Sequence, residues 1–405
     1  MTVTNNDRLK KFQKQIETEL KDNILTFWID KTPDHIKGGF YGYISNDLTI
    51  RPDNDKSSVL NFRILWTFST AYRLYQDEKY LDMANRAFYY VKEYFIDRTY
   101  SGVYWLLDSN GRPVDSKKQV YAVAFAIYGL SEYYRATGNS TALSLAIELF
   151  ESLESHAHDP QYKGYIEALT REWSPLEDKS LSPKDMNVSK SMNTNLHVLE
   201  AYTNLLRVWD SSILKYSLKE LLEVTMEHIV DSETWCFKLF FDMDWHSYTD
   251  TISYGHDIEG SWLIYEAAEV LGDAALLEKA EAIAIRMAQK VQQNGIDPVY
   301  GGIYNERNET GLDDKKDWWP QAEAVVGFFN AYQLTGSDSF LEASLDVFSY
   351  IEKYIEDRMN GEWFWGVTRD GRNLTSTEKV SPWKCPYHNS RMCFEIIKRI
   401  DKLTK

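Results

Sequence analysis

Cysteine is scarce in this 405-residue chain, which contains only Cys236, Cys385 and Cys393. An odd number of cysteines without a CxxC spacing argues against both a disulfide framework and a cysteine-based zinc site. The chain also lacks a run of about 18 apolar residues, the length that a membrane-spanning helix needs. Residues 1–12 are polar and lead directly into a helical pattern. These features predict a cytoplasmic protein that has no membrane partner.

Positively charged residues are also few relative to acidic ones. The chain has 45 Lys and Arg residues and 61 Asp and Glu residues, which gives a net charge of -16. Such a chain repels the phosphates of nucleic acids and the headgroups of anionic membranes. The sequence also contains no GxGxxG or GxxxxGK[ST] motif, so nothing indicates a cradle for a nucleotide cofactor. We therefore predict a neutral small-molecule partner, no nucleic-acid partner and no cofactor.

Aromatic residues, in contrast, are abundant, with 13 Trp, 27 Tyr and 18 Phe. The hydrophobic content of 43% is ample for a packed core, and burial accounts for most of these rings. The surplus predicts a cavity with aromatic walls. Flat aromatic faces of this kind commonly pack against sugar rings.

A repeat organises the chain. Five segments align without gaps, and each one ends a helix, makes a tight polar turn and starts the next helix: residues 71–81, 133–143, 204–214, 266–276 and 331–341. Their closing leucines are 62, 71, 62 and 65 residues apart, which indicates a repeated helix pair. The longer connections between pairs contain glycines next to aromatic residues, a pattern typical of short hairpins.

Five internal pairs, a first helix with an apolar stripe from Leu9 to Phe27 and a last helix over residues 389–402 make twelve helices. We predict an all-α fold, an (α/α)6 barrel of six inner and six outer helices with short β-hairpins in the long loops. An open helical solenoid is the alternative. Residues 1–405 are interpreted as a single domain, and we expect a monomer, with a homodimer as the alternative.

In this barrel the even-numbered helices are the inner ones, and all of them begin at the same mouth. Three histidines lie at equivalent starts, which favours a functional site over chance burial. Histidine side chains are neutral bases near pH 7, so this set suits proton abstraction next to a carbonyl. The candidate site residues at these starts are Asn61, Arg63, Tyr121, Asn193, His197, His256, Glu259, Trp318, Trp319, Trp383, Tyr387 and His388.

The segment 253–262 is the most informative of these starts. His256 and Glu259 are three residues apart and would face the same side of a new helix. The N-terminus of that helix favours an anionic intermediate. A metal site formed by His197, His256 and His388 is conceivable, yet no HxxxH pair or carboxylate pair completes it, and we expect no metal.

Five motifs together resemble the N-acylglucosamine 2-epimerase family over nearly the whole chain, from Phe27 to Arg399. They are NFRILW at residues 61–66, SMNTNLH at 191–197, SYGHDIE at 253–259, WWPQAEA at 318–324 and WKCPYHN at 383–389. The resemblance implies an (α/α)6 barrel without a metal or redox cofactor. It also implies reversible epimerisation at C2 of the reducing-end glucose in β-1,4-linked disaccharides such as cellobiose and lactose.

The same resemblance implies a role for each matching residue. His256 and His388 would be the two acid/base groups, His197 would assist ring opening, and Arg63 would hold the reacting oxygens. Glu259 would orient a histidine and the sugar. The residues expected to bind the substrate are Tyr121, Asn193, Trp318, Trp319 and Trp383.

Four other functions stay open at this point. An aldose–ketose isomerase of the same fold would share the histidine pair, and an N-acylglucosamine 2-epimerase would require an acetamido sugar. A glycoside hydrolase needs two carboxylates across a cleft, whereas the helix starts clearly offer only Glu259. A non-catalytic sugar-binding protein would need the aromatic residues but not three convergent histidines.

Overall fold

The computed structural model describes residues 5–374 and 377–404, and within them the chain forms twelve helices that alternate between an outer and an inner layer. Numbered in chain order, the inner helices are α2 (Ser58–Tyr75), α4 (Val120–Thr137), α6 (Met192–Leu206), α8 (Tyr254–Leu271), α10 (Trp318–Thr335) and α12 (Tyr387–Thr404). The outer helices are α1 (Asn5–Thr18, π-helical Glu19–Leu25 and Thr26–Lys31), α3 (Glu78–Tyr90 and π-helical Val91–Phe95), α5 (Ser140–His156), α7 (Ser212–Val224 and π-helical Thr225–Ile229), α9 (Ala274–Asn294) and α11 (Asp338–Tyr350 and π-helical Ile351–Ile355).

The two layers differ in how their residues are buried. In α2 every residue from Ser58 to Ala71 is buried, because both sides of an inner helix are covered. The outer helix α9 buries residues only at helical spacing, such as Leu276, Ala280 and Ile283. None of the helices in the described ranges is both long and apolar enough to cross a membrane.

Contacts between helices settle the choice between a barrel and a solenoid. Each inner helix packs against the next one in chain order, and α12 packs against α2. The first outer helix, α1, packs against α12 as well. The ring is therefore closed, the predicted (α/α)6 barrel is confirmed, and the open solenoid was the wrong alternative.

Short antiparallel strands connect neighbouring repeats at the end of the barrel where the inner helices begin. The strands are β1 (Ile44–Ser45), β2 (Lys56–Ser57), β3 (Leu106–Leu107), β4 (Pro113–Asp115), β5 (Lys118–Gln119), β6 (Ala168–Leu169), β7 (Lys190–Ser191), β8 (Phe240–Phe241), β9 (Ile252–Ser253), β10 (Glu306–Asn308), β11 (Gly311–Asp313), β12 (Lys316–Asp317), β13 (Gly366–Val367) and β14 (Glu378–Val380). They pair as β2–β3–β4, β5–β6, β7–β8, β9–β10–β11, β12–β13 and β14–β1. The last pairing joins the two ends of the chain. A strand before each inner helix thus fixes where that helix starts.

Buried lysine–aspartate ion pairs reinforce five of these six junctions, a feature that the sequence analysis did not identify. In each pair the lysine lies in the strand before an inner helix, and the aspartate begins the hairpin after the preceding outer helix. The pairs are Lys56–Asp34 (2.8 Å), Lys118–Asp97 (2.9 Å), Lys190–Asp159 (2.7 Å), Lys316–Asp297 (3.0 Å) and Lys379–Asp357 (2.8 Å). At the junction before α8, Ile252 stands in place of the lysine, and Asp231 pairs with Lys238 of its own hairpin at 3.4 Å.

The Lys190–Asp159 pair shows which contacts stabilise the buried charges. Burial opposes ionisation of Asp159, but hydrogen bonds from Lys190 and from the N–H groups of Gln161 and Tyr162 outweigh it and lower the pKa of Asp159. The lysine Nζ also donates to two carbonyl oxygens, at 2.7 and 2.8 Å. Removing one partner of such a pair leaves an uncompensated buried charge.

We predict that Lys190→Met lowers the free energy of unfolding by about 3–5 kcal/mol, since the Asp159 carboxylate loses its cation. Lys118→Met should cost less, because Asp97 keeps two hydrogen bonds from Arg171, at 2.8 and 3.1 Å. Chemical denaturation followed by circular dichroism measures both variants, and Lys190→Met/Asp159→Asn is the control that should recover part of the loss. Equal destabilisation by the two lysine variants would contradict this account.

Candidate active site

Two histidines contact one tryptophan at the mouth of the barrel. His256 in the first turn of α8 lies 4.7 Å from the Trp319 ring of α10, and His388 of α12 lies 5.6 Å from it, measured between ring centroids. A Cβ atom on Gly255 would come within 2.5 Å of the Trp319 ring. Glycine at that position therefore permits the close approach of α10. The geometry brings together the two bases that the sequence analysis assigned to separate helices.

His256 is held by the residue that caps its own helix. Its Nδ1 lies 2.8 Å from the Ser253 hydroxyl. Burial lowers the pKa of His256 to about 4, an effect that the nearby Glu259 carboxylate only partly offsets. At neutral pH the imidazole is therefore uncharged and able to accept a proton.

His388 is oriented by Glu323, a residue that the sequence analysis did not identify. Its Nδ1 lies 2.7 Å from Glu323 Oε1, whereas Glu259 is 4.0 Å away, beyond hydrogen-bond distance. Burial holds the pKa of His388 well below its usual range. Glu323, rather than the expected Glu259, thus makes the orienting contact with this histidine.

Arg391 is the cation of a buried charge cluster next to these groups. Its guanidinium is fully buried and contacts three carboxylates, Glu200, Glu259 and Glu323, the last at 2.6 Å. Glu259, Glu323 and His388 lie close enough together to ligate a metal ion. However, Arg391 Nη2 already contacts both of these carboxylates, so a cation of the protein already compensates their charge.

Arg63 is a buried cation with a different environment. Its Nη2 donates to the Tyr121 hydroxyl at 2.6 Å, and its guanidinium lies over the Phe125 ring at 4.2 Å. Across the described residues it forms no ion pair with a carboxylate, and its Nε has no hydrogen-bond partner. Burial disfavours the charge, yet the surrounding Tyr and Cys side chains raise the pKa of Arg63 overall. The positive charge therefore remains available to a ligand.

His197 completes the histidine set. Its Nδ1 lies 2.9 Å from Glu200, and its ring centroid is 4.9 Å from that of Tyr121. Burial opposes ionisation of Glu200, but Arg391 and His197 lower its pKa to about 2. Glu200 thus links this histidine to the buried arginine.

Aromatic and amide groups surround the charged ones. Trp383 is half-buried, and its ring lies 6.1 Å from both Tyr121 and Trp105. Asn193 is half-buried too, and its carboxamide oxygen has no partner within the described part of the chain. Trp105 is an additional wall residue that the sequence analysis did not identify.

Trp318 is the one predicted substrate-binding residue that the structure does not bring to the histidines. It is only 3% exposed, and its ring packs edge-on against Trp365, 4.6 Å away. Trp318 and Trp319 point to different sides because consecutive helical residues are about 100° apart. The structure therefore places Trp318 in the packing between α10 and the next hairpin.

Sequence signals existed for the residues that were missed. Glu200 and Glu323, like the Glu259 that was identified, are carboxylates within otherwise apolar inner helices, where an unpaired charge would be costly. Arg391 follows His388 by three residues and so lies on the same helix face. Three acids and one base buried at the same depth of a barrel predict an ion-pair cluster.

Comparison with known proteins places this architecture among sugar-converting enzymes. The sequence model of the family described as N-acylglucosamine 2-epimerase matches residues 39–391. A protein of Bacteroides fragilis named cellobiose 2-epimerase is 46% identical over 386 residues, which cover 95% of this chain and 98% of that protein.

Solved structures agree. Cellobiose 2-epimerase from Bacillus thermoamylovorans superposes with a TM-score of 0.92 at 39% identity, covering 96% of this chain and 100% of that one. A D-mannose isomerase superposes with a TM-score of 0.83 at 20% identity, covering 95% of this chain and 97% of that one. The second likeness, at such low identity, concerns the fold alone.

The Glu323 contact predicts the tautomer of His388. Because Glu323 Oε1 also accepts from Arg391, the histidine donates through Nδ1–H and leaves Nε2 unprotonated at about pH 7. ¹⁵N NMR of histidine-labelled protein, with the signal assigned from His388→Gln, should show this tautomer. Glu323→Leu should remove the preference.

Trp262→Phe is the matched control, since it deletes the 3.2 Å bond from Trp262 Nε1 to Glu323 Oε2 and keeps an aromatic ring beside Arg391. Its His388 spectrum should keep the Nδ1–H pattern. An Nε2–H tautomer in the unmodified protein would contradict the assignment.

Proposed function

The chain belongs to the N-acylglucosamine 2-epimerase family, and we propose that it epimerises C2 of the reducing-end glucose in β-1,4-linked disaccharides such as cellobiose and lactose. The observation that carries this proposal is the pair of imidazoles, His256 and His388, that reach the same Trp319 ring from two different helices. Epimerisation needs a proton removed from one face of a carbon and delivered to the other. Two bases on separate helices suit that requirement, and the 46% identical relative carries the name of the same reaction.

The proposed reaction begins when the pyranose ring opens to the aldehyde, with His197 assisting the proton transfer. One histidine then removes the C2 proton and becomes an imidazolium, and the C–H electrons move into a planar cis-enediolate. Arg63 stabilises the negative charge on its oxygens, because no carboxylate of the described chain neutralises this guanidinium. Rotation about C2–C3 presents the opposite face. The second histidine, which is neutral at rest and takes up a proton from solvent before this step, delivers that proton to C2, and the first histidine returns its proton to solvent.

The carboxylates beside His388 support its part of this cycle. Burial disfavours the imidazolium, whereas Glu323 at 2.7 Å and Glu259 at 4.0 Å favour it. A proton on His388 is thus stabilised by contacts that leave its other nitrogen free. His256 has the neutral Ser253 hydroxyl as its hydrogen-bond partner instead of a carboxylate.

Two alternatives are distinguished by chemistry. An aldose–ketose isomerase would use the same histidines but return the proton to C1, and the fold likeness to a D-mannose isomerase keeps it as the second candidate. Glycoside hydrolysis requires two carboxylates free to act on a glycosidic bond. Here the buried Glu200, Glu259 and Glu323 all contact Arg391, which argues against that reaction.

We further propose that the protein is cytoplasmic, that residues 1–405 form one domain, and that it acts as a monomer, with a homodimer as the alternative. Support for the compartment comes from the three cysteines, which are all free and buried. Support for a single domain comes from the closed ring, because its first and last helices pack together.

Incubation of cellobiose with the protein in D2O tests the reaction. We predict a 4-O-glucosylmannose product with deuterium at C2, since the abstracted proton exchanges with solvent, and proton NMR detects both. His256→Ala and His388→Ala should each fold and form no product. Free glucose as the product would instead show hydrolysis, a ketose would show isomerisation, and full activity in either variant would remove that histidine from the mechanism.

Arg63→Lys tests the charge on the enediolate oxygens. We predict that kcat falls by about 10²–10³-fold, the range for loss of one preorganised donor to a developing oxyanion. Lysine keeps the charge but not the fixed planar donor array. Arg73→Lys is the matched control on the same helix, because Arg73 bonds Glu132 at the opposite end of α2 and should leave kcat unchanged. Steady-state kinetics that show equal losses in both variants would contradict the assigned role.

A further inference from the structure

Two inner helices carry an amide that closes the same pair of hydrogen bonds with the preceding hairpin. In α6 the Asn195 oxygen accepts from the N–H of Tyr165 at 2.8 Å, and its nitrogen donates to the carbonyl of Tyr165 at 3.1 Å. In α10 Gln321 makes the corresponding bonds with Ile303, both at 2.8 Å. Each amide thus satisfies the donor and the acceptor of one hairpin residue and fixes the start of its helix.

Asp257 occupies the equivalent position in α8. Its Oδ1 accepts from the N–H of Phe237 at 2.7 Å, and Phe237 takes the same place in its hairpin as Tyr165 and Ile303 do in theirs. The side chain is fully buried, yet no N–H or O–H group in residues 5–374 or 377–404 donates to Oδ2. The side-chain donor beside the carboxyl group is the Cys236 thiol, which is a weak donor. A carboxylate cannot supply the second bond, because it has no hydrogen to donate. A protonated carboxylic acid has one hydrogen that it can donate.

We propose that Asp257 is a neutral carboxylic acid in the folded protein, that its Oδ2–H donates to the carbonyl of Phe237, and that this bond positions the start of α8. The helix start carries His256 and Glu259, so Asp257 is a positioning residue that acts through them. The assignment of the proton rests on the fold alone. Its kinetic consequence also rests on the proposed epimerase activity.

The surroundings of Asp257 favour the neutral form. The ionisable groups around it are Cys236 in the hairpin, Lys290 of α9, Tyr254 and His256 of α8 and Arg307 of β10. From α10 the neighbouring helix presents uncharged Trp319 and Pro320 beside Gly255. None of the described cations forms a salt bridge with Asp257, and burial raises its pKa to about 7.

A cavity connects this acid with solvent. It has a volume of about 580 Å³ and is lined by Asp257, Cys236, Lys290 and Arg307, among others. The junction before α8 is also the one where Ile252 replaces the buried lysine of the other repeats. A proton on Asp257 can therefore equilibrate with bulk water.

The sign of the pH dependence follows from the two states of the protein. An aspartate in the unfolded chain has a pKa of about 3.9, whereas Asp257 in the folded chain has a pKa of about 7. The folded state therefore binds more protons between these values. Its added stability is fully present below about pH 4 and is lost as the pH rises through about 7. The second bond of the clamp is lost in the same range.

Asp257→Asn tests the proposal, because asparagine supplies both bonds without a titrating proton, as Asn195 does in α6. We expect the variant to melt at a higher temperature than the unmodified protein at about pH 8 and to lose that advantage near about pH 5. The alkaline midpoint of kcat/KM for cellobiose should move upwards by about one pH unit or more.

The converse variant is the matched control. Gln321→Glu places an acid at the equivalent position of α10 and should acquire an alkaline loss of stability that the unmodified clamp lacks. Infrared spectra supply a readout independent of activity. The spectrum of the unmodified protein minus that of Asp257→Asn at about pH 6 should contain a protonated carboxyl band, because other buried acids such as Glu19 and Glu167 contribute equally to both spectra.

Each possible result either supports the proposal or overturns part of it. No carboxyl band, or a melting difference that does not change with pH, would overturn the neutral acid. A band without any shift in the kinetic profile would overturn the positioning role. If the protein did not epimerise cellobiose at all, the melting and infrared results would still test the proton, so failure of the proposed function is distinguishable.

Discussion

The contact of Arg391 with three buried glutamates is the interaction on which the site depends. Burying four charges is expensive, and only mutual pairing with complete hydrogen bonding offsets the desolvation. The arrangement orients two of the proposed catalytic groups, because Glu200 contacts His197 and Glu323 contacts His388. One guanidinium therefore fixes side chains from α6, α8, α10 and α12 relative to each other. The cluster also explains why these carboxylates do not act as hydrolytic acids.

The sequence predicted the fold well because its signals are local. Apolar spacing identified the helices, and the recurring turn segments predicted the number of pairs and hence the barrel. The helix starts identified the three histidines for the same reason: a residue early in an inner helix lies at the end of the barrel where the mouth is. The π-helical segments, such as Val91–Phe95, left no pattern that could be read beforehand.

The contacts that were missed are long-range. Arg391 pairs with Glu200 and Glu259 across 191 and 132 residues, and no single segment contains such information. Trp318 and Trp319 show a second limit, since both follow the same strand and only the rotation of α10 decides which ring meets the histidines. The buried lysines were not recognised from the sequence for another reason. A lysine in a two-residue strand resembles a solvent-exposed one until the hairpin that covers it is known.

Differences between the repeats explain where function resides in this barrel. Five junctions share a buried lysine–aspartate pair and resemble interchangeable structural supports, whereas the junction before α8 has lost the lysine and carries an acid where other helices carry an amide. It is the junction that presents His256. A base that must be uncharged at neutral pH benefits from a hydrogen bond to a neutral group, here the Ser253 hydroxyl, since a directly bonded carboxylate would raise its pKa. Replacing an ion pair by neutral hydrogen bonds at that one position keeps the helix start fixed while leaving His256 to burial, which lowers its pKa to about 4.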